Sequence, residues 1–464
     1  MQAFVFEQRS IPKLYLRFSL PVVFSMVVSI VYNVADTFFI SQTQNTALVA
    51  AVSLCAPCFT TLMALGNIFG QGGNSLISRY MGQGNDDDIR RVSSFCLYAA
   101  ITVGLVAGMA LLALRVPVLR LFGATHQTMQ YALDYYVVLS LGAPLCVLTF
   151  IHSNLLRSEG LAMESMVGTV GGAVINIVLD PIFISGLGLN ATGAATATVI
   201  GYAFADLYFL VVVHKRSRVL SLNVKDARVT MQQAGQVFAI GTSAALANLM
   251  QSVCMILMNQ FLLPYGNDKI AAMGIVLKVS MIVLLVVTGF SFGGAPLMGY
   301  YIGAKDGRRL RQLLRFATIL LCSLALLMSL TLIVLAPAAM QVFLKDPGVV
   351  RDGALMLRLQ VLGMVCAAVV LLVTNLFQAA GKPVESLLLS VSRQGVVFLA
   401  VILVVQHVAG YVGILAAQPI ADLLSAALAG ILYFLRFRTR EADGLRRRDI
   451  ASSAVGCTPT PSAE

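Results

Sequence analysis

The chain has no tryptophan and only 4 histidines, and Asp, Glu, Lys and Arg make up just 11% of its 464 residues. So sparse a charge complement cannot cover the surface of a water-soluble protein of this length. HExxH, GxSxG and phosphate-loop lysine motifs are absent. His126, His152, His214 and His407 read as lying at or near span ends, and none pairs with an obvious nucleophile. No catalytic group and no metal-ligand set is therefore read, and the chain is expected not to be an enzyme. Its 8 cysteines are scattered, mostly inside apolar runs. Cys55 and Cys58 form a CxxC with no companion cluster, which reads as small apolar packing rather than redox or metal chemistry. No filter-like motif suggests a channel. Without Trp, any interfacial aromatic belt falls to Tyr and Phe.

What is present is apolar. Hydrophobic residues make up 58% of the chain and the mean hydropathy is +0.85. Runs of about 20 apolar residues, each long enough to span a bilayer as a helix, recur throughout. Their continuity excludes the alternation of a membrane β-barrel. Twelve spans are read, near 17–40, 50–70, 93–114, 131–155, 163–186 and 191–213, then 234–262, 270–292, 313–336, 351–378, 384–408 and 411–436. Met1–Arg17 is polar and basic, and the apolar run from Phe18 reads as an uncleaved first span. The net charge of +11 has a membrane explanation, so nucleic acid is not expected as a partner. With an even number of spans both termini lie on one side. Placing them in the cytoplasm, and counting span ends with the loops they adjoin, puts 24 of the 32 Lys and Arg on the cytoplasmic side and 6 on the opposite side, with Lys278 and Arg393 deeper inside spans. That asymmetry predicts cytoplasmic termini in a plasma (inner) membrane.

A repeat runs at a constant offset of 221 residues. It carries Gly72-Gly73 to Gly293-Gly294, Tyr80 to Tyr301, Gly82 to Gly303 and Arg90 to Arg311. Farther on it carries Gly142 to Gly363, Asn154-Leu155 to Asn375-Leu376, Gly160 to Gly381 and Glu164 to Glu385. Six spans per half make the halves parallel repeats, related by an axis along the membrane normal. The expected fold is an all-α membrane protein with twelve transmembrane helices in two six-helix repeats around a central cleft. Its parts are a lobe over 1–213, a cytoplasmic linker over 214–233, a lobe over 234–436 and a disordered tail over 437–464. Two bundles facing a cleft can rock against each other, the basis of alternating access. A purely structural scaffold would not need charges inside its spans.

The segment Leu155-Leu156-Arg157-Ser158-Glu159-Gly160, followed by Val174 to Ile184 (VINIVLDPIFI), resembles the span 4–5 signature of the multidrug and toxic compound extrusion (MATE) family. So do Asn33-Val34-Ala35-Asp36-Thr37-Phe38-Phe39-Ile40, Gly70-Gln71-Gly72-Gly73 before Arg79-Tyr80-Met81-Gly82, and Gln418-Pro419-Ile420-Ala421-Asp422. The resemblance covers about Leu14 to Phe437. It implies export of cationic or amphipathic drugs driven by inward proton or sodium flow. One branch of the family places its coupling acids on spans 7 and 10. Here Gln251, Asn259 and Asn375 stand on those spans, and no acid is read on either. The DinF-like branch uses spans 1, 5 and 6, and this chain carries Asp36, Asn176, Asp180 and Thr198 there, with Pro21 in span 1.

An Asp within a span costs about 2.5 kcal/mol or more and is a functional candidate by default. Asp36, Asp180 and Thr198 fall at similar depth in the outer half, and Asn176 lies one turn before Asp180 on the same face. Two carboxylates in a poorly hydrated pocket repel, and one held proton relieves both repulsion and burial. Protonation of Asp180, with Asp36 as its partner, is expected to alter the packing of span 1, where Pro21 removes a backbone hydrogen bond and supplies a hinge. Asn154 is a weaker coupling candidate, because its repeat mate Asn375 suggests a shared packing role. Met26, Asn33, Met63, Gln251, Met255, Lys278 and Met281 are expected to line the substrate cavity. Arg393 is at most distantly paired with Glu385, and Asp206 and Asp422 read as interfacial or paired. The expected protein is an ion-coupled antiporter with the proton preferred over sodium as coupling ion, working as a monomer surrounded by membrane lipid and without a cofactor. The alternative is a lipid-linked oligosaccharide flippase of the same superfamily. Such a flippase needs basic residues in the cleft, where Lys278 is the one obvious central cation.

Overall fold

The computed structural model describes residues 10–343 and 346–435; the tail expected to be disordered lies outside them. Eleven long apolar elements appear among the described residues, and the first ten are α1 to α10 in chain order. They are α1 Ile11–Gln42, α2 Thr46–Gln83, α3 Asp86–Ala113, and α4, the bent pair Met129–Leu141 and Ala143–Ser158. α5 is Ala162–Gly186, α6 Asn190–Arg216, α7 Met231–Tyr265, α8 Asp268–Gly303, α9 Gly307–Gln341 and α10 Pro347–Ala379. Pro383–Tyr433 then runs for 51 residues, or about 77 Å at helical rise, far beyond one crossing of about 30 Å. Gly410, at φ 54° and ψ −127°, breaks it into α11 (383–409) and α12 (411–433). The chain is thus an integral membrane protein of twelve spans in two six-helix lobes.

The repeat is visible in backbone detail. α2 ends at Gly84 with φ 70°, and the Asn85 side chain caps α3 by accepting from the Asp88 N–H. At the matching turn Lys305 has φ 56°, and Asp306 caps α9 by accepting from the Arg309 N–H. α4 bends by 53° at Gly142, and α10 is interrupted at its mate Gly363. Thr230 and Gln233 form a reciprocal capping box at the start of α7.

Helices run longer than hydropathy suggests. α2 continues past residue 70 because Gly70 through Ser78, though rich in Gly, Asn and Ser, is buried against neighbouring helices. There the lobes meet. A Cβ on Gly82 would run into the Tyr300 carbonyl, and one on Gly303 into the Arg79 carbonyl, the repeat mate of the first contact. Gly72 meets Val237 and Gly241 meets Ile68 in the same way, while Gly293 and Gly294 abut Ser19 and Tyr15. Small residues let helix backbones approach this closely. These approaches lie toward the end bearing the termini. Farther from that end, Ser29, Asn33 and Thr37 of α1 and Gln251, Ser252 and Met255 of α7 are exposed, so the cleft widens away from the termini.

Between the lobes, the linker is strapped to α3. Ser94 and Tyr98 donate to the carbonyls of Ser221 and Leu222, at 3.0 and 2.9 Å, and the Ser221 N–H donates to Ser93.

Candidate functional site

A cavity of about 540 Å³ lies between the lobes. Its wall carries Met26, Asn33, Met63, Gln251 and Met281 as expected. Phe59, Phe150, Tyr202 and Phe292 add aromatic surface. Two expected lining residues are elsewhere. Met255 is about half exposed, one turn beyond Gln251. Lys278 is exposed one turn beyond Met281 on the same face of α8, above the cavity and outside its wall. Both follow from the cleft's widening: the helix face is right, and the depth is wrong.

The acids form a separate buried cluster, one turn farther from the start of α1. Asp180 is fully buried, and among the described residues neither of its carboxylate oxygens has a hydrogen-bond partner. Oδ1 of Asp36 and Oδ1 of Asn176 are likewise buried and unpartnered. Asp36 lies within electrostatic reach of Asp180, and both lie within reach of Tyr32 and Tyr135. Between this pocket and the cavity stands a polar layer. Asn176 donates to Thr198 Oγ1 at 3.2 Å, Tyr32 OH lies 3.5 Å from the same oxygen, and Thr198 donates to the Ala194 carbonyl. Tyr32, Asn176 and Thr198 also line the cavity. Spans α1, α5 and α6 thus bring together Asp36, Asp180, Asn176 and Thr198. The pocket contains acceptors that lack donors, an arrangement that a proton or a small cation would complete.

Asn154 is not part of this group. It sits on the cavity wall, where its Nδ2 donates to the Phe150 carbonyl and its Oδ1 accepts from Arg157. Its mate Asn375 also lines the cavity and donates to Ser291 at 2.7 Å. Pro21 is buried within α1, which continues through it as one helix, and Ser25 donates to its carbonyl at 2.9 Å.

Several charges are placed differently from the sequence expectation. Arg157, counted there as a loop charge, is in the last turn of α4 and lines the cavity, as does Arg393. The cavity cations are therefore these two arginines rather than Lys278. Arg393 stands on a π-turn, Ser392–Val396, a feature often found at functional sites. Its partner is Asp422, not Glu385: Nε donates to Oδ1 at 2.8 Å, and Gln418 donates to the same oxygen at 3.0 Å. Of the two readings of Asp422, interfacial or paired, the structure shows the paired one: it is buried in the C-terminal lobe against Arg393. His152 is not at a span end but buried beside Asp206, Nδ1 to Oδ1 at 3.8 Å, while Thr149 donates to that oxygen at 2.9 Å. α10 does carry an acid, Asp352 near its start, which pairs with Lys269. Cys55 and Cys58 are buried, and the Cys55 thiol points at the Ala132 carbonyl.

The family model described as MatE matches twice, over residues 21–182 and 243–404, once in each lobe. The multidrug export protein MepA of Staphylococcus haemolyticus (strain JCSC1435) is 31% identical over 438 residues, covering 94% of this chain and 96% of that protein. MepA of Staphylococcus aureus (strain MRSA252) is 30% identical, with coverage of 94% and 97%. Among solved structures, a MATE protein in the straight conformation aligns with a TM-score of 0.87 at 24% identity, over 94% of this chain and 98% of the other. The bent conformation aligns with a TM-score of 0.88, over 95% and 98%. With both lobes matched by the family model and relatives aligned over nearly their whole length, this chain is a membrane transporter and belongs to the MatE family.

Proposed function

We propose that the protein is a proton-coupled exporter of amphipathic drugs that works by alternating access. The observation that carries this reading is the carboxylate pair Asp36–Asp180, whose buried oxygens have no hydrogen-bond partner among the described residues, one helical turn from a cavity between two lobes. The relatives' description as multidrug export proteins supports the substrate class.

A buried carboxylate oxygen without a donor is unstable as an anion. A proton is the smallest group that satisfies it. In this reading Asp180 takes the proton with Asp36 as its partner, and Asn176 and Thr198 set the geometry of the pocket. Tyr32 shares the Thr198 hydroxyl and also faces the cavity, so a proton on the acids can be felt by the cavity wall. Pro21 supplies the bend site in α1 through which this signal reshapes the N-terminal lobe. The Lys and Arg asymmetry of the loops supports a plasma (inner) membrane location with both termini in the cytoplasm. The closed, glycine-lined end then faces the cytoplasm.

The test is efflux of a fluorescent cation from everted vesicles under an imposed proton or sodium gradient. The expected result is proton-driven transport that Asp180→Asn abolishes and Asp36→Asn lowers at least tenfold, with unchanged amounts of folded protein. Undiminished transport by Asp180→Asn overturns the coupling site, and a response to sodium alone reassigns the ion.

A further inference from the structure

The charge on the cavity wall is of one sign. Among the described residues no Asp or Glu lines it, and its charged residues are Arg157 and Arg393. The acids of the coupling pocket stand behind Tyr32, Asn176 and Thr198. Arg393 already has a counter-ion in Asp422. Arg157 has none among the described residues. Its Nη2 donates to Asn154 Oδ1 at 2.6 Å and its Nε to the Ser153 carbonyl at 3.1 Å.

Both acceptors belong to its own helix, one turn back. They fix the guanidinium in place without neutralising it, and Nη1 makes no hydrogen bond among the described residues. A guanidinium held by neutral acceptors at a cavity wall is costly to leave unpaired and is shaped to receive an oxyanion through two parallel bonds. Apolar and aromatic side chains occupy the rest of the wall, Phe59, Phe150 and Met63 among them.

We infer that Arg157 is the anchor of an anion subsite, which takes a carboxylate or phosphate carried by the amphipathic molecule in the cavity. The preferred substrates are then zwitterionic or anionic amphiphiles rather than simple cations. This inference rests on the export reading and refines its substrate class. The oxyanion could belong to a free solute or to an anionic lipid headgroup, because the recognition chemistry is the same.

The experiment uses the full chain in phosphatidylcholine nanodiscs, with two probes that differ only in one group: a rhodamine bearing a free carboxyl and its methyl ester. Fluorescence anisotropy reads their binding. The expected result is that Arg157→Gln weakens the free acid at least tenfold and changes the ester less than twofold, while Arg157→Lys retains part of the preference. If Arg157→Gln does not yield folded protein, Asn154→Ala replaces it, and freeing the guanidinium there lowers acid binding several-fold with the ester unchanged. Nanodiscs containing phosphatidylglycerol separate the sources. Competition with the acid probe that depends on Arg157 assigns the site to a headgroup, and no competition assigns it to a free solute. Either result supports the subsite. It is overturned if the variant leaves acid binding unchanged, if acid and ester weaken equally, or if the wild type binds neither probe. Arg157-dependent binding without movement of the acid probe in proteoliposomes under any gradient overturns the export reading and leaves the subsite standing.

Discussion

Gly172 and Gly201 touch where α5 crosses α6: a Cβ on either would come within 2.6 or 2.7 Å of the other's carbonyl oxygen. The offset of 221 carries these positions to Arg393 and Asp422. One lobe fills this crossing with bare backbone, the other with a buried ion pair on a π-turn. A pair buried this deeply is retained at some cost in desolvation, and removing one partner is worse than removing both. Arg393→Met should therefore destabilise the protein by about 3–5 kcal/mol, and Arg393→Met with Asp422→Leu should recover most of that. Thermal unfolding in detergent checks this, and a double variant no more stable than the single one contradicts it. The pair was not legible in the sequence, because its partners are 29 residues apart on neighbouring helices, where no periodicity links them. Arg157 was missed for a different reason: a charge at the end of an apolar run looks like a loop charge until the helix is seen to continue. Asp36 and Asp180 were legible because an acid inside an apolar run stands out against its surroundings.

Element boundaries were legible where glycine punctuates both halves, as at Gly142 and Gly363. They were not legible at the inner end of α2, whose polar, glycine-rich turns are buried by helices of both lobes rather than by lipid. The crossing of α2 with α8 is the clearest case, with Gly82 and Gly303 each set against a backbone carbonyl of the opposite helix. Backbone carbonyls cannot step aside for a side chain as a flexible side chain can. Gly303→Val should therefore hold the lobes apart at this end. Maleimide labelling of a cysteine introduced at Ser75, whose hydroxyl donates to the Gln378 carbonyl of α10, should rise at least fivefold in the Gly303→Val background. Equal labelling in both backgrounds would show that the crossing does not seal the cleft.

Across the whole molecule, the symmetry of the backbone is not matched by the chemistry. At the 221 offset Asp36 corresponds to Leu257, Asp180 to Val401 and His152 to Val373. If protonation acts on the N-terminal lobe alone, hydrogen exchange between pH 6 and pH 8 should differ, after correction for the intrinsic pH dependence of exchange, in α1, α5 and α6 and stay level in α11 and α12. Asp180→Asn should erase the difference. A pH response spread equally over both lobes would count against coupling confined to one of them.

The linker strap sets a mechanical condition on any such movement. Its backbone is fastened to α3 near Ser221 and Leu222, and the next helix is already capped at Thr230. Little chain is left between those two anchorages. If the lobes rock as proposed, the covalent joint would serve as a fulcrum rather than a slack tether: the second lobe would tilt about the start of α7, and a long stroke at the cleft mouth would need only a small displacement at the joint.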